Sequence, residues 1–251
     1  MLRILLLLTF LMLPAFFYAQ DLVGAINEGQ RAELAMDDST ALLKYKEALK
    51  IAPSNVQLLC KCCELCTRIA RRLNDNTVRQ EEYYAAAATY ASTAARLQPL
   101  SSEANFAMSL VMGRKAQQGG GSEKIDAVKK LKMYADLAIK YDPLNYKAWY
   151  VLGKWYYEIS GLNYFERSAV KLFFGAFPAA TTDDAIRCFE RVKALDRSFI
   201  LNYVSLAEAY KRREEDGLAK KSLSVMLSLP DQLQDDETIK QEGRNLLKKW
   251  E

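Results

Sequence analysis

Trp149-Tyr150-Val151-Leu152-Gly153-Lys154-Trp155-Tyr156 is the stretch that decides the fold. Trp149, Leu152, Gly153 and Tyr156 fall on one face of a helix with 3.6 residues per turn. Bulky residues flank a glycine on that face. The pattern predicts a helix that grips a second one, with the glycine letting the two backbones approach. The second helix recurs along the chain with a proline behind it: Ala41, Tyr45, Ala48 and Pro53; Ala87, Ala91, Ala94 and Pro99; Leu131, Ala135, Ala138 and Pro143. Ala185, Phe189 and Val192 follow, with Arg197 in the proline's place, and Ala219, Leu223 and Met226 end at Pro230.

A helix pair repeating about every 34 residues is the tetratricopeptide (TPR) unit, which cannot bury its apolar face alone and stacks into a solenoid. The chain is therefore expected to be an all-α TPR helix-turn-helix solenoid of about five repeats, forming one domain over residues 20–251. Departures from the period locate extra chain. Pro53 and Pro99 are 46 positions apart, with the excess expected around Arg71 to Glu82. Pro99 and Pro143 are 44 apart, with a flexible turn expected at Gln117 to Ser122. Pro143 and Arg197 are 54 apart, which places an insertion over about Ile159 to Thr182 in the fourth repeat. Asp235 to Trp250 reads as a capping helix, with Ile239, Leu246, Leu247 and Trp250 on one face.

Residues 1–19 read differently. A basic start at Arg3, an apolar run from Ile4 to Leu13 and a small-residue exit at Ala19 are the marks of a secretory signal peptide. The run is short for a membrane span of about 20 residues. The chain is expected to be exported, and periplasmic if its host is a Gram-negative bacterium. Removing Arg3 leaves 34 basic against 31 acidic residues, interleaved along helices, which does not suggest nucleic acid as a partner. The 251 residues contain no histidine, so the commonest general base and metal ligand is missing. No phosphate-cradling glycine loop and no nucleophile with a plausible base is present either. The expectation is a binding protein, not an enzyme, with no cofactor and no metal.

Cys60, Cys62, Cys63 and Cys66 crowd one helix and invite a metal or redox reading. The repeat register instead gives Cys62, Cys63 and Cys66 the packing positions held elsewhere by Leu152, Gly153 and Tyr156. One helix cannot turn all four thiols toward one ion. Packing is the expectation.

The insertion contains Phe165, Glu166, Arg167, Leu172 and Phe173 at spacings that predict a short amphipathic helix. A Glu166–Arg167 ion pair is expected to fix it, and the helix is expected to pack on the convex side or close one end of the solenoid, or else to narrow the groove or contact a ligand or membrane with its apolar face. Gly153-Lys154-Trp155-x-Tyr157-Glu158, Leu162, Phe165-Glu166-Arg167, Pro178 and the helix start Thr182-Asp183-Asp184-Ala185 resemble the C-terminal TPR domain of the regulator of microtubule dynamics family. With its leader ending in Ala-Gln, the chain looks most like exported bacterial members. For eukaryotic members the resemblance implies microtubule association and lipid transfer at membrane contacts. Only lipid binding carries over to an exported bacterial chain.

Five positions along the first helices line the concave face of a TPR solenoid. One row of them is Ile26, Cys60, Phe106, Tyr150 and Val204, which is free of charge. Another includes Arg68, Arg114, Glu158 and Arg212, and Lys154 lies beside it. Phe106, Tyr150 and Val204 are the expected floor, with Arg68, Arg114, Lys154 and Arg212 along one side. Such a groove suits a protein or peptide partner, or an acidic lipid. The alternative for the apolar row is simple core packing. The expected function is an envelope binding scaffold, with lipid or fatty-acid transfer as the second reading.

Overall fold

A computed structural model describes residues 20–73, 77–175 and 179–250, leaving aside the side chains of residues 169, 170 and 172–174. The leader expected over residues 1–19 lies outside the described residues. Among those described, the chain is helix and turn throughout and falls into two compact units that divide between Leu97 and Gln98. The first unit holds α1 (residues 20–34), α2 (Asp38–Ile51), α3 (Val56–Arg72) and α4 (Thr77–Leu97). The second holds α5 (Ser102–Gln118), α6 (Gly121–Tyr141), α7 (Tyr146–Gly161), α8 (Tyr164–Phe174), α9 (Thr182–Leu195), α10 (Ile200–Arg212), α11 (Asp216–Ser228) and α12 (Asp236–Lys249).

The helices pack in the pairs the repeat requires: α3 on α4, α5 on α6, α7 on α9 and α10 on α11. In the remaining pair, Gly29 of α1 lies against the Tyr45 ring of α2. The helix α8 is inserted within the fourth pair, and α12 closes the second unit against α10 and α11. Its Ile239, Leu246, Leu247 and Trp250 pack on a cluster containing Tyr203, Leu223 and Met226.

One register position explains why the pairs close. Gly29, Cys63, Ser109, Gly153 and Ala207 occupy it in the five first helices, and all are small and buried. The facing second-helix residues Tyr45, Ala91, Ala135, Phe189 and Leu223 are also buried. Where the first helix offers glycine, the second supplies an aromatic ring. Each large apolar side chain so buried contributes roughly 1.5–3 kcal/mol.

The cysteines belong to this packing. Cys60, Cys62, Cys63, Cys66 and Cys188 are all buried as thiols. Burial pushes the Cys62, Cys66 and Cys188 thiols up to about 12, and Cys63 well above its ordinary value.

Two expectations about spacing need correction. The surplus in the second and third repeats is carried mainly by longer helices, not by loops. Both α4 and α6 run 21 residues, against 14 in α2 and α9. The expected turn from Gln117 to Ser122 is helical except at Gly119 and Gly120. The body of α6 packs on α7. The indole nitrogen of Trp155 on α7 donates to the Val128 carbonyl at 3.1 Å, and Val128 and Leu131 cover Trp155 and Ile159.

No helix among the described residues is long and apolar enough to cross a membrane.

Candidate first-helix face of the second unit

The first helices α5, α7 and α10 are neighbours in the second unit, and α12 follows α10. Two of the starts are fixed locally: Ser101 and Asn145 accept the backbone N–H of the third residue beyond them, capping α5 and α7. The helical period from these starts decides which side chains share a face.

On α7 this face carries the half-buried Tyr150, Lys154 and Tyr157 and the exposed Glu158, and on α10 the buried Ser205, the half-buried Glu208 and the exposed Arg212. The Tyr150 hydroxyl lies 3.2 Å from that of Ser205. Its ring meets Phe199 edge-on at 5.2 Å and Phe189 at 6.0 Å, so Tyr150 is half-buried and rigid. The Lys154 ammonium stands 3.6 Å from Glu158 and 5.3 Å from the centre of the Tyr157 ring. Burial pulls the Lys154 pKa down, but Tyr150, Glu158 and Glu208 together outweigh it and leave the pKa raised. Burial likewise raises the Glu208 carboxyl, Glu242 and Glu158 add to this, and Lys154 and Arg212 oppose it.

The expected floor divides. Tyr150 is on the face, but Phe106 and Val204 are buried in core clusters, Phe106 with Ala138 and Ala148, Val204 with Ile200 and Tyr203. The packing alternative holds for those two.

The expected arginine edge is not an anion-facing one. Arg212 lies over the Tyr157 ring at 3.4 Å and donates to the Tyr157 carbonyl and the Ser160 hydroxyl. It also packs on Gly161, where a Cβ would sit 3.1 Å from its guanidinium. In the first unit Arg68 is drawn to the buried Asp38, which also holds Arg72 at 2.7 Å. Arg114 is half-buried on α5. Partners a repeat away capture Arg68 and Arg212 before a ligand can.

The inserted helix forms as expected, but not through a Glu166–Arg167 pair. Glu166 closes a capping box by accepting the Asn163 N–H at 2.8 Å. Arg167 donates to the carbonyls of Leu162, Ile159 and Ser160 at 2.9, 3.2 and 2.8 Å. Adjacent helical residues point to different sides, so each finds its own partner. Arg167 thus meets carbonyls at the end of α7, and Arg212 meets the Tyr157 carbonyl just before them. Tyr164 and Phe165 are 79% and 81% exposed, and the side chains of Leu172 and Phe173 lie outside the described residues.

Sequence reading left Tyr157 and Ser205 unselected. Tyr157 was visible as the next turn of the Tyr150–Lys154 edge, whereas Ser205 gains its meaning only from Tyr150 across the helix pair.

The family model described as regulator of microtubule dynamics protein 1-3 matches residues 26–251. Human regulator of microtubule dynamics protein 2 is 25% identical over 176 residues, which cover 70% of this chain and 43% of that protein. Caenorhabditis elegans regulator of microtubule dynamics protein 1 is 24% identical over 216 residues, covering 84% of this chain and 95% of that protein. The chain thus spans less than half of the human relative. Among solved structures, a thermophilic TPR protein of Thermus thermophilus aligns with a TM-score of 0.65 at 14% identity, covering 90% of this chain and 98% of that one. Pseudomonas aeruginosa pilF aligns at 0.52 and 11% identity, covering 93% and 90%. These structures establish the fold class, an all-α TPR helical solenoid.

Proposed function

The chain belongs to the regulator of microtubule dynamics protein 1-3 family, and from that membership we propose that it is a non-catalytic binding scaffold. It holds a protein or peptide segment on the first-helix face of its second unit. The observation that carries this reading is the Tyr150–Lys154–Tyr157–Glu158 edge opposite Ser205–Glu208–Arg212. The aromatic rings are pinned by neighbours while polar groups remain at the surface, a combination that suits recognition of an extended or helical segment. Binding, not chemistry, is the role this face suits, since its titrating groups form no nucleophile–base pair.

The apolar run at residues 4–13 supports export with removal of residues 1–19. The partner then lies outside the cytoplasm, in the periplasm where the host is a Gram-negative bacterium. Mass spectrometry of the protein recovered from its host would give Gln20 as the first residue.

The scaffold reading is tested by placing a photo-crosslinking benzoylphenylalanine in the full chain at position 154, or at exposed Val225 on α11 as control. A crosslinked species of defined mass from position 154 and none from 225 is expected. Equal yields, or none from 154, would overturn the reading.

A further inference from the structure

The charge balance around Glu208 says what side chain this face takes, an inference that rests on the scaffold reading of the same face. Ser205 and Arg212 stand one turn either side of Glu208 on α10. Ser205 holds the Tyr150 hydroxyl and Arg212 holds the Tyr157 ring, so Glu208 sits on α10 between the two residues that contact the tyrosines. Glu208 is half-buried, yet among the described residues it makes no hydrogen bond and no ion pair within 4.0 Å. Glu158 and Glu242 are close enough to repel it.

Two cations stand near these three carboxylates. The Arg212 guanidinium is committed to the Tyr157 carbonyl, the Ser160 hydroxyl and the Tyr157 ring. Lys154 acts on both Glu158 and Glu208, but its 3.6 Å contact is with Glu158, and Arg212 reaches Glu208 only through its field, not through a hydrogen bond. The face is short of one positive charge and of hydrogen-bond donors. An incoming anion would meet three carboxylates and no uncommitted cation. An incoming cation would find an acceptor without a hydrogen bond in a partly dehydrated setting, beside the half-buried Tyr150 and Tyr157.

We infer that the partner delivers a lysine or arginine side chain to the Glu208 carboxylate, its stem lying beside Tyr150 and Tyr157. The partner is then a protein segment with a basic residue flanked by apolar ones, not an acidic lipid or an acidic peptide.

The test pans a phage-displayed random 12-residue peptide library on the full chain, then measures the selected peptide by calorimetry against wild type, Glu208→Gln and Tyr150→Ala. The expected peptides share one Lys or Arg among apolar residues. Glu208→Gln should weaken binding at least tenfold, and replacing the peptide's basic residue by norleucine should weaken wild-type binding equally. The two losses should not add. Glu208→Gln should keep the wild-type melting temperature or raise it, because the charge it removes is poorly paired. Selected peptides that lack a basic residue, and that lose affinity with Tyr150→Ala but not with Glu208→Gln, would overturn this inference and leave the scaffold reading standing. Acidic peptides, or binding to phosphatidylglycerol vesicles that Lys154→Glu abolishes, would also overturn it. Failure to select any peptide, together with no crosslink from position 154, would overturn both.

Discussion

Gly153 and Phe189 touch so closely that a Cβ on the glycine would stand 2.6 Å from the aromatic ring and 3.1 Å from the Cβ of Cys188. The ring is fully buried and also touches the Tyr150 ring, so it has little room to swing away. Gly153→Ala gains about 1 kcal/mol of helix propensity but should lose about 1–3 kcal/mol to overpacking. The expected result is a net loss in urea unfolding, partly recovered by adding Phe189→Leu. A more stable Gly153→Ala protein would show that the fourth helix pair can part at little cost.

Asp38 is 2% exposed and receives both Arg68 and Arg72. Removing one partner of a buried ion pair costs about 3–5 kcal/mol because the other charges stay behind. Asp38→Asn should lower the unfolding free energy of the first unit by about that amount. Arg68→Met should cost less, because Arg72 still answers the carboxylate. Equal losses in the two variants would mean that Arg72 does not share the charge.

Burial raises the Cys62 and Cys66 thiols from 9.0 to about 12. A group whose folded pKa is raised stabilises fully below its ordinary value and loses that contribution as pH climbs through the folded one. The first unit should therefore weaken between about pH 9 and 12. The decline should be shallower in a Cys62→Ala/Cys66→Ala variant. In the native protein at pH 8.5, iodoacetamide should modify these thiols on the order of a thousandfold more slowly than in urea, following the loss of thiolate. Rapid native labelling would show that the α3 core opens readily.

Arg167 donates to three carbonyls at the end of α7, although its own helix α8 packs only lightly, against α6. Arg167→Ala should free α8 while leaving the core intact. Hydrogen exchange is expected to quicken over residues 160–174, with the global unfolding free energy changed by less than about 1 kcal/mol, as for an exposed contact. Unchanged exchange there would mean that other contacts hold the inserted helix.

The outcome for Arg167 shows where sequence reading stops. The Asn163–Glu166 spacing is a local signal, and the capping box it describes is formed. The carbonyls that Arg167 finds belong to the preceding helix, and their direction depends on how the chain leaves α7. The same holds for Arg212: its place in the repeat is readable, but its capture by Tyr157 needs α10 packed beside α7.

What the sequence determined by itself was everything periodic. Trp149, Leu152, Gly153 and Tyr156 recur at helical spacing, and the second-helix alanines recur at the repeat length, because burial of one face imposes both periods. The inserted helix, the closing helix and the packing role of the cysteines follow from that register. The tertiary structure alone decided which polar groups were already spoken for. Arg68 and Arg212 look like groove cations in a one-dimensional reading, and Phe106 and Val204 look like its floor. Pairing and burial are settled between helices, by distances of a few ångströms that no spacing along the chain encodes. That pairing leaves Glu208 short of a cation and reverses the charge expected of the partner.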